Sequence, residues 1–246
     1  MTNTAQAKVA LIVGAGDGNG SAIAKRFARE GFTVCVARRS GEKLQPLVKS
    51  IEAMGQKAVA FGVDARKEEA VNEMVATIEK DIGPIDVLVF NIGANVPCSF
   101  SAETARKFFK IWEMACFAGF LSARAVVEPM LKRGRGTILF TGATASTRGA
   151  AGFAAFACAK SGLRAMAQSM ARELGPKNIH VAHVVIDGPV DTDFIREVMP
   201  AVYAEKMPLD GILKPDHIAD SFWMLHSQPR DAWTFELDLR PYLETW

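Results

Sequence analysis

Short apolar runs alternating with amphipathic stretches along the whole chain predict an α/β fold: a doubly wound, seven-stranded parallel sheet flanked by helices. Two further observations support it. The apolar runs are rich in Val, Ile, Leu and Phe without strict alternation, as expected of parallel strands covered on both faces. The chain has 246 residues, 49% of them hydrophobic, ample for one sizeable core, and no linker, repeat or low-complexity stretch divides it. One domain over residues 1–246 is the expectation.

The strand candidates are VALIVGA (9–15), FTVCVA (32–37), KAVAFGV (57–63), IDVLVFN (85–91), GTILFT (136–141), IHVAHVVI (179–186) and WTFELDL (233–239). Helical periodicity fills about 19–30, 43–54, 67–82, 103–133, 152–174 and 215–227. Gly31, Gly55 and Gly175 stand where helix C-termini are expected. The one long irregular stretch, about 187–214, carries aromatics and methionines, and reads as a lid over a substrate rather than a solvated tail.

With 29 basic and 27 acidic residues the chain is nearly balanced. The basic residues are scattered, which argues against nucleic acid or an anionic membrane as a partner. Cys35, Cys98, Cys116 and Cys158 lie far apart and show no metal-ligand spacing, as expected of free thiols in a reducing compartment. No apolar stretch approaches the roughly 18 residues of a membrane helix, and the N-terminus lacks a signal-peptide pattern. The expected location is cytoplasmic, with no metal site.

The first strand runs into GAGDGNGSAIAKRFAREG. Gly14, Gly18 and Gly20 fit G-x-x-x-G-x-G, a turn whose backbone N–H groups can approach a pyrophosphate at the positive end of the next helix. Asp17 and Asn19 lie inside this turn. A turn of this kind between strand and helix marks a Rossmann-type dinucleotide site. At the end of the second strand, where an acidic residue would bind a ribose 2′-hydroxyl, stand Arg38 and Arg39. Their planar donor forks suit a 2′-phosphate, which favours NADP(H) over NAD(H). Asp17 pulls the other way if its carboxylate faces that phosphate.

With these motifs on the page, the chain resembles the short-chain dehydrogenase/reductase family, classical type, over essentially its whole length. VDAR places Asp64 where the family's acidic residue meets the adenine amino group. FNIGA resembles the family's Asn-Asn-Ala-Gly, with Asn91 and Gly93 matching. DGPVDT resembles Pro-Gly-x-Val-x-Thr, with Gly188, Val190 and Thr192 matching. The resemblance implies that Val190 and Thr192 hold the nicotinamide carboxamide, and that Lys160 holds the nicotinamide ribose.

The family's chemistry rests on Asn, Ser and a Tyr-x-x-x-Lys pair, with the tyrosine as general acid in carbonyl reduction. Counting back from Lys160 puts Phe156 in the tyrosine position, and thirteen residues earlier Ala143 in the serine position. Cys116 falls in the asparagine position, where a buried thiol reads as packing rather than nucleophile. Only Lys160 matches, so the chain resembles a divergent member lacking the catalytic Ser and Tyr. A phenyl ring cannot donate a proton. The two tyrosines, Tyr203 and Tyr242, lie beyond every catalytic motif.

Two functions follow from the resemblance. One is an NADP(H)-dependent oxidoreductase that moves hydride to or from a small, hydrophobic carbonyl, alcohol or imine by another proton path, through Lys160, Tyr203 folding in from the lid, or water. The apolar pocket would be lined by Trp112, Phe153, Phe156, Phe194 and Met199, and Asp191 and Asp193 at the lid hinge would greet a cationic substrate. The other is a catalytically silent NADP(H)-binding sensor or subunit. Either is implied to be a homo-oligomer, dimer or tetramer, packed through the helices at 103–133 and 152–174.

Overall fold

The structure, a computed structural model, describes residues 8–245. Its seven strands are β1 (Val9–Val13), β2 (Thr33–Arg38), β3 (Ala58–Gly62), β4 (Ile85–Phe90), β5 (Gly136–Thr141), β6 (Ile179–Ile186) and β7 (Glu236–Leu239). All pair in parallel, in the order β3-β2-β1-β4-β5-β6-β7. This is the doubly wound sheet the sequence predicts. The strand order reverses between β1 and β4, so their carboxyl ends open a crevice there.

The helices follow from the apolar pattern. On one face lie α1 (Asn19–Arg29), α2 (Gln45–Glu52) and α9 (Pro215–Ser227); on the other α3 (Glu68–Thr77), α5 (Ala118–Arg133) and α6 (Ala154–Leu174). Strand β1 serves both cores: Val9, Leu11 and Val13 face one and Ala10 and Ile12 the other, all essentially unexposed. Burying each of the larger aliphatic side chains contributes about 1.5–3 kcal/mol, so a polar residue at Leu11 or Ile12 would break the centre of the sheet.

Four expectations change in detail. The region about 187–214 is not irregular: it folds into α7 (Asp193–Val198) and α8 (Pro200–Lys206), tied back by a bridge between Val190 and Leu213. Thr192 caps α7 through its hydroxyl, and Pro200 opens α8. The helix expected over 103–133 is α4 (Ala105–Trp112), a π turn at Glu113–Phe117, then α5. Gly175 keeps right-handed geometry at φ −54°, and the left-handed residue after α6 is Asn178 at φ 64°. Strand β7 begins only at Glu236.

By length and composition alone the helical run Ala105–Arg133 could cross a bilayer. Half of its most apolar 18-residue window is buried, and Ala115, Leu121, Val126 and Met130 are turned inward. It is a core helix of the sheet face.

Candidate functional site

Two cavities, of about 680 and 380 Å³, share Gly14, Gly16, Asn91 and Gly93 along their walls. They form one cleft over the carboxyl ends of the strands, where an open α/β sheet binds ligands.

The glycine turn forms the middle of the cleft. Gly14 sits at φ +91°, a conformation that favours glycine, and a Cβ there would lie 2.8 Å from the Asn91 carbonyl. A Cβ on Gly20 would lie 2.5 Å from the Gly14 oxygen, and on Gly18 2.7 Å from the Thr192 methyl. Asn91 holds the turn by donating its side-chain amide to the Gly14 carbonyl at 3.0 Å. Gly16 and Gly93, by contrast, face open space. Helix α1 has Gly18 at its N-cap position, with no side-chain cap and no acidic residue in its first turn. Its positive dipole end is left for an anion, while the Ser21 N–H turns back to the Gly16 carbonyl at 3.0 Å. Asn19 also lines the cleft, and its buried Oδ1 lacks a protein partner. These residues fit the pyrophosphate of a dinucleotide.

The smaller cavity is rimmed by Arg38, Arg39, Ser40 and Lys43. Asp64 is there as well, gripped by Arg66 through Nε at 2.9 Å and Nη2 at 2.6 Å. That hydrogen bond holds the carboxyl below the usual range, so Asp64 is an anion at neutral pH. Asp17 lies outside both cavities, with its side chain 89% exposed and 4.0 Å from Arg38. It flanks the basic rim instead of facing into it. Lys43 was not singled out from the sequence, because it belongs to a short 3-10 turn after β2 that only the fold brings to the rim.

The larger cavity contains Lys160, Gly188, Val190 and Thr192 together with Gly14, Gly18, Asn19 and Gly20. Lys160 is 2% exposed and donates to the carbonyls of Thr141 at 2.7 Å and Ile92 at 3.0 Å. Burial pushes its ammonium down from 10.5 to about 8, partly opposed by Cys116. Between those pH values the unfolded chain binds the extra proton, so this group makes the fold more stable as pH rises. The stability of the wild type relative to Lys160→Met is expected to increase by on the order of 3 kcal/mol from pH 8 to 10.5. Urea denaturation across that range measures it, and an unchanged difference would mean a hydrated ammonium.

Phe156 lies one turn before Lys160, its ring centroid 6.0 Å from Nζ, and shares the cavity with Ala143, Phe153 and Met199. Trp112 and Phe194, expected in this lining, are elsewhere: Trp112 stacks on Phe117, and Phe194 is exposed. Cys116 is buried in the π turn, which pushes its thiol up and makes it a poor nucleophile. Neither tyrosine lines the cleft. Tyr203 donates its hydroxyl to Asp191 at 2.8 Å, and Tyr242 is 76% exposed.

The hydroxyls nearest Ala143 are already engaged. Ser146 accepts from the Ala143 N–H, and Thr144 donates to Asp187 at 2.7 Å. Asp187 occupies the place of the proline in Pro-Gly-x-Val-x-Thr, and it is 1% exposed. Arg148 grips it through both terminal nitrogens, at 2.8 and 2.9 Å. Burial alone would raise Asp187, but the bonds from Arg148 and Thr144 outweigh it and hold the carboxyl low. Arg148, Lys206 and Glu244 also reach the cavity. They come from three separate parts of the chain, and nothing local in the sequence marks them as neighbours.

Comparison with known proteins agrees with this geometry. The family model described as short chain dehydrogenase matches residues 8–202. A short-chain dehydrogenase/reductase of Armillaria gallica is 34% identical over 195 residues, 78% of this chain and 74% of its own. A short-chain dehydrogenase structure from Rhodopseudomonas palustris is 50% identical, with TM-score 0.82, covering 96% of this chain and 99% of that one. A metagenomic short-chain oxidoreductase in complex with NADP is 25% identical, with TM-score 0.81, over 96% and 98% of the two chains.

Proposed function

The chain belongs to the short-chain dehydrogenase family, and on that premise we propose that it is an NADP(H)-dependent oxidoreductase acting on a small, largely apolar carbonyl, alcohol or imine. The observation that carries this reading is the continuity of the cleft, which joins a basic rim to an apolar chamber across the glycine turn. When bound, the cofactor supplies or accepts a hydride at its nicotinamide. In this reading Arg38, Arg39 and Lys43 hold the 2′-phosphate and Asp64 meets the adenine. The turn from Gly14 to Gly20 takes the pyrophosphate, with Asn91 and Gly93 keeping the floor of the cleft in place. Lys160 holds the ribose, while Gly188, Val190 and Thr192 orient the carboxamide. Such positioning is a large share of what an enzyme contributes to hydride transfer.

The proton takes a path that avoids tyrosine. Tyr203 is committed to Asp191, which leaves Lys160 and water. Lys160 uses two of its three N–H groups on carbonyls and keeps the third for a ligand. Helices α7 and α8 act as the lid over the chamber. The assembly is a homo-oligomer, a dimer or tetramer, packed through α4 to α6. The aromatic series Phe109, Trp112, Phe117 and Phe120, running from α4 across the π turn into α5, with Phe109 and Phe120 exposed, supports that face.

Parallel equilibrium titrations with NADPH and NADH test the cofactor assignment. NADPH is expected to bind more tightly. Replacing Arg38 and Arg39 together with alanine is expected to weaken it by roughly 10- to 100-fold while sparing NADH. Equal affinities in the wild type would remove the phosphate-reading role. A second reading is favoured by the phenyl ring of Phe156 and the methyl of Ala143 at the reacting end: a silent NADP(H)-binding sensor or subunit. Transfer of deuterium from labelled NADPH to any substrate in a carbonyl panel would rule it out.

A further inference from the structure

Four ionisable side chains line the larger cavity: Lys160, Arg148, Lys206 and Glu244. Three are cations and one is a carboxylate, so the chamber favours an anion. The acidic residues that could have attracted a cation are turned away. Asp191 and Asp193 are both bound by Arg196, and neither lines the cavity. Asp187 lies buried beneath Arg148 and does not line the cavity either.

Among these cations Arg148 is the one built for recognition. Lys160 gives two N–H groups to backbone carbonyls and, in the cofactor reading, its third to the ribose, and Lys206 lies 3.6 Å from Glu244. Arg148 is fixed from behind: each terminal nitrogen gives one N–H to a different oxygen of Asp187, and Thr144 fastens the same carboxylate. A guanidinium carries five N–H donors. The Asp187 pair takes two, leaving Nε–H and one N–H on each terminal nitrogen. The side chain is 36% exposed and lines the cavity. It shares the cavity wall with the apolar Ala150, Phe153, Phe156 and Met199, and besides Asp187 the carboxylates of Glu244 and Asp238 act on its charge from a greater distance.

We propose that Arg148 is the substrate anchor of this chamber, holding the carboxylate of an apolar, aryl-bearing acid whose body packs on Phe153 and Phe156. The substrate class is therefore an oxo or hydroxy acid, not a cation. The proposal rests on the cofactor reading above and narrows it. A guanidinium held rigid by a buried carboxylate loses little freedom when it binds, and a planar fork matches a carboxylate better than an ammonium does. Asp187 is a positioning residue, since it acts on substrate only through Arg148.

The test is a binding titration of the NADPH-loaded protein with non-reducible probe pairs, benzoate against benzamide and 2-naphthoate against 2-naphthamide. Reduced nicotinamide is neutral, so the cofactor does not itself attract the anion. The carboxylates are expected to bind at least tenfold more tightly than their amides. Arg148→Gln is expected to abolish that preference while keeping NADPH affinity, and Arg148→Lys to restore it only in part. The wild-type comparison holds even if Arg148→Gln leaves Asp187 unpaired and fails to fold. Equal binding of acid and amide, no binding of the acids, or an undiminished preference in folded Arg148→Gln would overturn the assignment. The NADPH titration made first separates the two failures. Loss of NADPH binding overturns the cofactor reading and this proposal with it, whereas NADPH binding without anion preference overturns only the role of Arg148.

Discussion

Phe156→Tyr is expected to raise NADPH-dependent ketone reduction by roughly a hundred- to ten-thousand-fold, the range a positioned general acid supplies. The ring already lies in the chamber, one helical turn before Lys160 and 6.0 Å from its ammonium. A hydroxyl on it would be a donor beside a buried positive charge, and that charge stabilises the phenolate and lowers the phenol pKa. Phe156 is 7% exposed and lines the cavity, and the added hydroxyl is to enter that space. NADPH oxidation against a panel of aryl ketones and oxo acids measures the effect. A second variant, Ala143→Ser with Phe156→Tyr, adds the polarising hydroxyl and is expected to exceed the single change. If both variants fold and bind NADPH yet reduce no more than the wild type, Phe156 does not occupy the proton-donor position.

Gly20→Ala and Gly18→Ala are expected to separate folding from cofactor binding. At Gly20 the new methyl would sit 2.5 Å from the Gly14 oxygen and 2.7 Å from the Ala15 Cα, both backbone atoms in the tightest part of the turn. The turn must shift, costing about 1–3 kcal/mol of stability and at least tenfold in NADPH affinity. At Gly18 the only close neighbour is the Thr192 side chain rather than backbone, so the turn itself can stay in place while Thr192 shifts at some cost to its cap on α7. Stability is then expected to fall much less than affinity, because the methyl narrows the approach to α1 and displaces a residue assigned to the carboxamide. Thermal melts with NADPH titrations on both variants give the answer. Equal losses of affinity and stability in Gly18→Ala would make that glycine purely structural.

Much of the site was legible because its signals are local. The glycine turn, the arginines ending β2 and Lys160 alone in a helix of small apolar residues are each contained in a few consecutive positions. Lys160 is indeed buried, and its partners, the Ile92 and Thr141 carbonyls, end β4 and β5. The lid was harder to read. Helices α7 and α8 have 6 and 7 residues and no buried member, so the apolar periodicity that reveals a longer helix is missing. Gly175 misled for a related reason: a short 3-10 turn carries the chain on to Asn178, which takes the left-handed conformation in its place.

By itself the sequence determined the parallel sheet, the glycine turn between β1 and α1, and the absence of a hydroxyl at positions 143 and 156. These follow from residue type and spacing along one stretch of chain. The tertiary structure alone decided where the charges sit. Tyr203 turns to Asp191, Asp17 flanks the basic rim, and Arg148, Asp187, Lys206 and Glu244 converge from four distant segments. The physical reason is that a buried carboxylate such as Asp187 must find its donors wherever the fold brings them. Those partners lie 39 and 43 residues away, at Arg148 and Thr144.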